Sequence, residues 1–311
     1  MKKFKERKTK GKIICICIIV FSLAIVGVGT YLIINHFTKK GSSLEEALPE
    51  NELVALEDNK TELMEKYHSL PNGSDYSLSF KAPELVEISF EKMKEHNFVV
   101  SHQYGLAHTS LADQTVRSTS IKNGNKYFLE TITNSTLLHS ARRFYQEGDT
   151  VKNYEGKKAN TTSAQWSESR CETSSVEDFQ EKWGKDLTRP IIHIISTKTA
   201  TGTITKDGEE YHISLNLDKD LATKRYVKQV LAISPAKNPV FTSIEMQFKL
   251  NKNLDLISYH SNENYKVDMI LKGVETNTKL TEYYTYDVET PIPDINTNVA
   301  YESGNLYGEI F

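Results

Sequence analysis

Three stretches in the C-terminal half alternate apolar and polar residues with a period of two. They are Tyr211, Ile213, Leu215 and Leu217; Ile244, Met246, Phe248 and Leu250; and Tyr265, Val267, Met269 and Leu271. That period sends successive side chains to opposite faces of a strand, so each stretch predicts a strand with one apolar face that something must cover. Asp207-Gly208 joins the first to a partner at 201–205 as a tight hairpin, while 251–253 and 261–264 read as polar turns between the later strands. Between the first two strands, residues 220–233 place Leu221, Tyr226, Val227, Val230 and Leu231 at helical spacing ahead of Pro235. That amphipathic helix is suited to act as a lid.

The N-terminal half is less regular. Residues 44–70 carry Leu53, Leu56, Leu63, Met64 and Tyr67 at roughly helical spacing after Asn51, a candidate N-cap, and the turn Pro71-Asn72-Gly73-Ser74 follows. Residues 83–97 predict a helix, with Pro83 in its first turn and Leu85, Ile88, Phe90 and Met93 as its apolar stripe. Residues 98–104, 116–122, 127–133 and 143–147 are rich in β-formers, and Asn123-Gly124-Asn125 supplies a hairpin turn between two of them. Ser175 with Asp178 marks the start of a second helix bearing Val176, Phe179 and Trp183. The fold class expected is α+β: an N-terminal transmembrane helix, then a curved, mostly antiparallel sheet of about eight to eleven strands covered on one face by two to four helices.

The transmembrane expectation comes from the run that starts at Ile13 and closes at Ile34, 22 residues without a charge. As a helix it extends about 33 Å, enough for a hydrocarbon core of about 30 Å. Residues 1–12 hold seven basic side chains against Glu6, and Lys39 and Lys40 follow the run. From Gly41 onward 29 basic and 40 acidic residues remain, a net of −11. The basic end belongs in the cytoplasm, which sends the rest of the chain outside. A cleaved signal peptide competes, with Gly27 and Gly29 as small residues, but 30–34 continue the apolar run past them, so a retained anchor is the better reading. The organisation expected is a cytoplasmic tail at 1–12, an anchor at 13–36, a juxtamembrane helix or stalk at 37–74, an extracytoplasmic β-rich domain at 75–288 and a tail at 289–311.

Composition narrows the chemistry. With 38% hydrophobic and 25% charged residues, 15 Gly and 8 Pro in 311 residues, the chain is neither collagen-like nor of low complexity. Of three cysteines, Cys15 and Cys17 fall in the apolar run, and Cys171 alone lies beyond it, so the domain depends on a core and not on cross-links. HExxH, GxSxG, GxxxxGK[ST] and CxxC are absent, as is a GxGxxG placed after a strand. His96, His102 and His108 recur every six residues, yet Gly105 argues against one unbroken strand, and no patterned ligand completes a metal set. His193, within an isoleucine-rich stretch, reads as a hydrogen-bonded core or edge residue. Arg142 and Arg143 read as a solvated pair, and the acidic balance makes nucleic acid a poor partner. No cofactor is expected. The tail from Glu289, with Pro291 and Pro293, reads as an extended strap or a partly disordered end.

The order of elements and the alternation over roughly residues 75–287 resemble the lipoprotein-carrier superfamily, the periplasmic lipoprotein chaperones and mycobacterial envelope lipoproteins. The resemblance rests on no residue motif and carries over no functional residue. It implies a half-barrel holding acyl chains beneath helices. The expected function is therefore a membrane-anchored, non-enzymatic binding or carrier module for an apolar, lipid-like ligand. Ile213, Leu215, Met246, Phe248, Tyr265, Val267 and Met269 are its candidate contacts, chosen by strand parity. The same residues would form an ordinary core if the helices filled the concavity. An envelope interaction or scaffold protein is the alternative, with another envelope protein as its partner, and a carboxylate-based wall hydrolase ranks third.

Overall fold

The computed structural model describes residues 50–109, 113–135, 139–160, 163–183, 186–227, 237–268 and 273–299. The basic tail and the expected membrane span lie outside the described residues. Among those described, no helix is long and apolar enough to cross a membrane.

Two short helices, α1 (Glu50–Ala55) and α2 (Lys60–Ser69), lead into α3 (Ala82–Glu95). Strands β1 (Phe98–Thr109), β2 (Asp113–Asn123), β3 (Lys126–Ser135), β4 (His139–Glu147), β5 (Thr150–Glu155) and β6 (Cys171–Ser175) form a first meander, closed by α4 (Val176–Trp183). A second meander follows: β7 (Ala200–Asp207), β8 (Glu210–Leu217), β9 (Lys237–Leu250), β10 (Leu256–Asp268) and β11 (Val274–Tyr286). All eleven strands join one antiparallel sheet in the order β6-β5-β4-β3-β2-β1-β11-β10-β9-β8-β7, the two meanders meeting where β1 pairs with β11. The expected curved antiparallel sheet with few helices is thus present.

Local chemistry explains the joints. Two-residue loops at Gly124-Asn125 and Gly208-Glu209 need a positive first φ, and the glycines supply +59° and +60°. The Ser175 hydroxyl accepts from the Asp178 N–H at 3.0 Å and donates to the Asp178 carboxylate at 2.7 Å, starting α4 as its sequence signal implied. At α3, Pro83 sits in the first turn and the Lys81 N–H donates to Glu84 at 2.6 Å.

Several expectations are corrected. Asn51 lies inside α1; the cap is Asn59, whose side chain accepts from the Glu62 N–H at 3.3 Å to start α2. The helix breaks between them because Asp58 leaves the helical path and accepts from the Thr197 N–H and hydroxyl at 2.8 and 2.7 Å. Residues 261–264 are not a turn: they run through the middle of β10, where the Asn277 side-chain amide donates to those of Asn262 and Asn264, both at 2.8 Å. A polar run thereby becomes a side-chain ladder between strands. Strand β1 continues through Gly105, so His102 and His108 do share a face; they bond to Thr119 and Asp113, and no cluster suited to a metal occurs among the described residues. Of the expected lid, 220–223 is turn and 224–227 helical, and 228–233 lie outside the described residues.

The arginine pair is buried, not solvated. Arg143 is 1% exposed and pairs with Glu130, its guanidinium 4.4 Å from the Trp166 ring and 5.9 Å from the Phe128 ring. Its terminal nitrogens donate to the backbone carbonyls of Asp294, Ile295 and Thr297. The tail is therefore a strap along the outer face of the sheet as far as residue 299, its carbonyls answering a buried cation.

Candidate ligand site on the inner face of the sheet

Strand register sorts the inner face into three zones. Under α3, the inward residues of β8, β9 and β10 join Leu85, Val86, Ile88, Phe90 and Met93 in one apolar cluster. At the far end, Leu129, Phe144 and Val151 pack against Phe179 of α4 in a second. Between them Ser101 and Gln103 of β1, Ser118 of β2, Thr131 of β3 and Glu282 of β11 set a polar row into the inward positions, beside Ala107, Val116 and Leu280. Here Ser101 donates to Glu282, the Gln103 amide donates to Glu282 at 3.0 Å, and Ser118 and Thr131 bond across strands at 3.0 Å. A buried polar seam thus separates two apolar floors.

Of the residues singled out by parity, Ile213, Leu215, Met246, Phe248 and Tyr265 all lie in the first cluster, buried, with the Phe90 ring meeting Phe248 edge-on at 6.3 Å. Strand alternation therefore placed them on one face, and α3 packs directly on them. The side chain of Val267 and the whole of Met269 lie outside the described residues.

A row of polar side chains that parity reasoning passed over shares this face. Pairings of Tyr259 with Phe248, Ser261 with Met246, Glu263 with Ile244 and Tyr265 with Phe241 put Glu263 inside. Its side chain is 12% exposed, and burial pushes its carboxyl up to about 7 against a bond from Ser261. Above it stands His193 from the loop before β7, with Nε2 3.8 Å from Glu263 Oε1. Burial pushes the His193 imidazole down to about 4. The ring of Tyr226 stacks on His193 at 5.8 Å and 21°, and Phe241 meets both edge-on. Glu263 escaped notice because Ser261-Asn262-Glu263-Asn264 reads as a turn. The signal that finds it is its even spacing from Tyr259 and Tyr265.

One open cavity, about 480 Å³, lies at the end of α3, lined by Tyr67, Tyr76, Lys92, Glu95, His96, Asn253 and Asp255 among others. Lys92 Nζ sits 2.8 Å from Asp255 Oδ1, and His96 bridges Asp255 and Asp287 at 3.0 and 3.1 Å. Burial pushes the Asp255 carboxyl up, but bonds from Lys92, Asn251 and His96 outweigh it and hold the group below its ordinary value. Asp255 is thus kept ionised as a joint between α3 and the β9–β10 turn.

No protein-family model matches the chain, and no curated protein matches it. Among solved structures it is similar to LprF from Mycobacterium bovis, at 12% identity and a TM-score of 0.35, over 70% of this chain and 97% of that one. A DUF1329 family protein from Desulfovibrio piger gives 8% and 0.25, over 70% and 96%. A porin-like protein from Bacteroides uniformis gives 10% and 0.20, over 62% and 97%. The envelope-lipoprotein resemblance read from element order is present as a weak likeness of architecture without a residue motif.

Proposed function

We propose that this protein is a non-enzymatic binding or carrier module for an apolar, lipid-like ligand, held at the outer side of a cell membrane by residues 13–34. The observation that carries this reading is the covering of the inner face. An eleven-stranded sheet commonly buries such a face under a second sheet, whereas here separate pieces roof it: α3, α4, and the loop bearing His193 with the turn at 224–227. Glu87 of α3 is hydrogen-bonded to Arg189 of that loop, so the two pieces can lift together, and lifting them would bare the floor made by Ile213, Leu215, Met246, Phe248 and Tyr265. Met246 gives that floor an adaptable lining.

The full chain, extracted from membranes with mild detergent and washed, should carry one lipid class enriched over the membrane it came from. No enrichment, or release of the chain from membranes without detergent, overturns the carrier or the tether respectively. The close packing of Phe90 on Phe248 favours a second reading, in which the face is a plain core and the protein is an envelope scaffold. A single repeatable crosslinked partner together with no bound lipid supports that one. A carboxylate hydrolase finds less support: it needs a protonated acid in a cleft, and the open cavity offers Asp255, which is held ionised, and the half-exposed Glu95, while the raised Glu263 is roofed over.

A further inference from the structure

We infer that His193, Glu263 and Tyr226 form an interior subsite for the hydroxyl or ester-carbonyl head of a neutral single-chain lipid, such as a monoacylglycerol, with the Tyr226 ring standing where the head goes when the cover lifts. The inference rests on the apolar-ligand reading and names the part of the ligand that the inner face selects.

The sheet itself does not need a carboxyl at position 263. The position lies between Ile244 of β9 and Thr278 of β11, where an apolar side chain would extend the floor. A buried polar atom left without a partner loses its bonds to water and gains none in return, so it calls for an explanation. His193 Nε2 is such an atom: it has no hydrogen-bond partner among the described residues, and at 3.8 Å Glu263 is beyond bonding distance. A hydroxyl between the two could donate to one and accept from the other. The Phe241 ring walls the site beside both His193 and Tyr226, and the Tyr265 hydroxyl is engaged by Thr278 at 3.5 Å.

The charge balance selects the class of head. His193, Tyr226, Tyr259 and Tyr265 face Glu263, and no lysine or arginine pairs with it among the described residues. An anionic head would bring a negative charge into a dry site with no cation to meet it, which low dielectric makes costly. A neutral head carries no such cost.

The test uses the full chain in dodecyl maltoside micelles and two photoactivatable probes with the same acyl chain and the same diazirine beside the head, a monoacylglycerol and a lysophosphatidic acid. Labelled peptides are mapped by mass spectrometry. The monoacylglycerol should label 191–195 and 258–266. His193→Leu and Glu263→Leu should each lower that labelling about tenfold, the scale of one or two lost hydrogen bonds, and Glu263→Gln should restore it. The lysophosphatidic acid should label these peptides about tenfold less than the monoacylglycerol. Unchanged labelling in the two leucine variants, or equal labelling by the charged probe, overturns the subsite. Labelling confined to 211–217 and 244–250 overturns the subsite and leaves the carrier reading standing. No labelling of the inner face by either probe overturns both.

Discussion

Glu263 and His193 titrate in opposite senses, and that sets how stability follows pH. A buried carboxyl raised from 4.5 to about 7 favours its neutral form, so its contribution is full below pH 4.5 and lost as pH rises through about 7. His193 and His260, each lowered from 6.5 to about 4, contribute fully above pH 6.5 and lose that contribution as pH falls through about 4. Between pH 4.5 and 6.5 two histidines outweigh one carboxyl and stability rises; above 6.5 the carboxyl acts alone and stability falls. An optimum near pH 6.5 is expected. Glu263→Gln removes the falling limb, so the variant should exceed the wild-type chain by about 3 kcal/mol at pH 8 and by little at pH 4.5. Urea midpoints at pH 4.5, 6 and 8 measure this, and a difference that stays constant across the range would sink it.

At the scale of elements, α3 is the main piece of the roof, held to the sheet by apolar contacts and to the loop before β7 by a buried ion pair. Phe90 is buried against Phe248, while Glu87 takes both terminal nitrogens of Arg189, whose guanidinium lies 5.1 Å from the Phe90 ring. Phe90→Ala should cost about 3–5 kcal/mol, read as a shift in the thermal midpoint, and should speed hydrogen exchange across residues 82–95 ahead of β9. Exchange rising equally in α3 and β9 would mean that the helix does not open as its own unit. Legibility in the sequence follows the same division. Strands β8 and β9 and helix α3 were readable because their buried faces are built from large apolar side chains at a clean period. Strand β11 was missed because Thr276, Thr278 and Glu282 interrupt Val274, Leu280, Tyr284 and Tyr286 along its inward face, and hydropathy does not see a polar seam. The misreading of 261–264 has the same cause and hid Glu263 with it. Ile213, Leu215, Met246, Phe248 and Tyr265 share one buried face as parity implied, but nothing local in the chain announces that His193, 70 positions upstream of Glu263, closes over it.

The whole molecule is held together across two faces by different physics. Inside, α3 and α4 bury separate apolar clusters; outside, the strap at 288–299 crosses the first meander, with most of its side chains exposed, and its backbone carbonyls take the Arg143 donors. That makes Arg143 the point where strand β4, strand β3 through Glu130, and the C-terminal segment are tied. Arg143→Ala takes the charge partner from a carboxylate that is 2% exposed and the donors from three carbonyls, a loss of roughly 3–5 kcal/mol on the scale of broken buried ion pairs. The strap should loosen with it, so a glutamyl endoprotease should cut after Glu289 faster in the variant than in the wild-type chain under native conditions. Replacing both Arg143 and Glu130 with Met should recover much of the stability, since no buried charge is then stranded, but it should not restore protection at Glu289, because no donor returns to the carbonyls. Protection restored by that double variant would show that packing against Trp166 and Phe128, and not the guanidinium, holds the strap down.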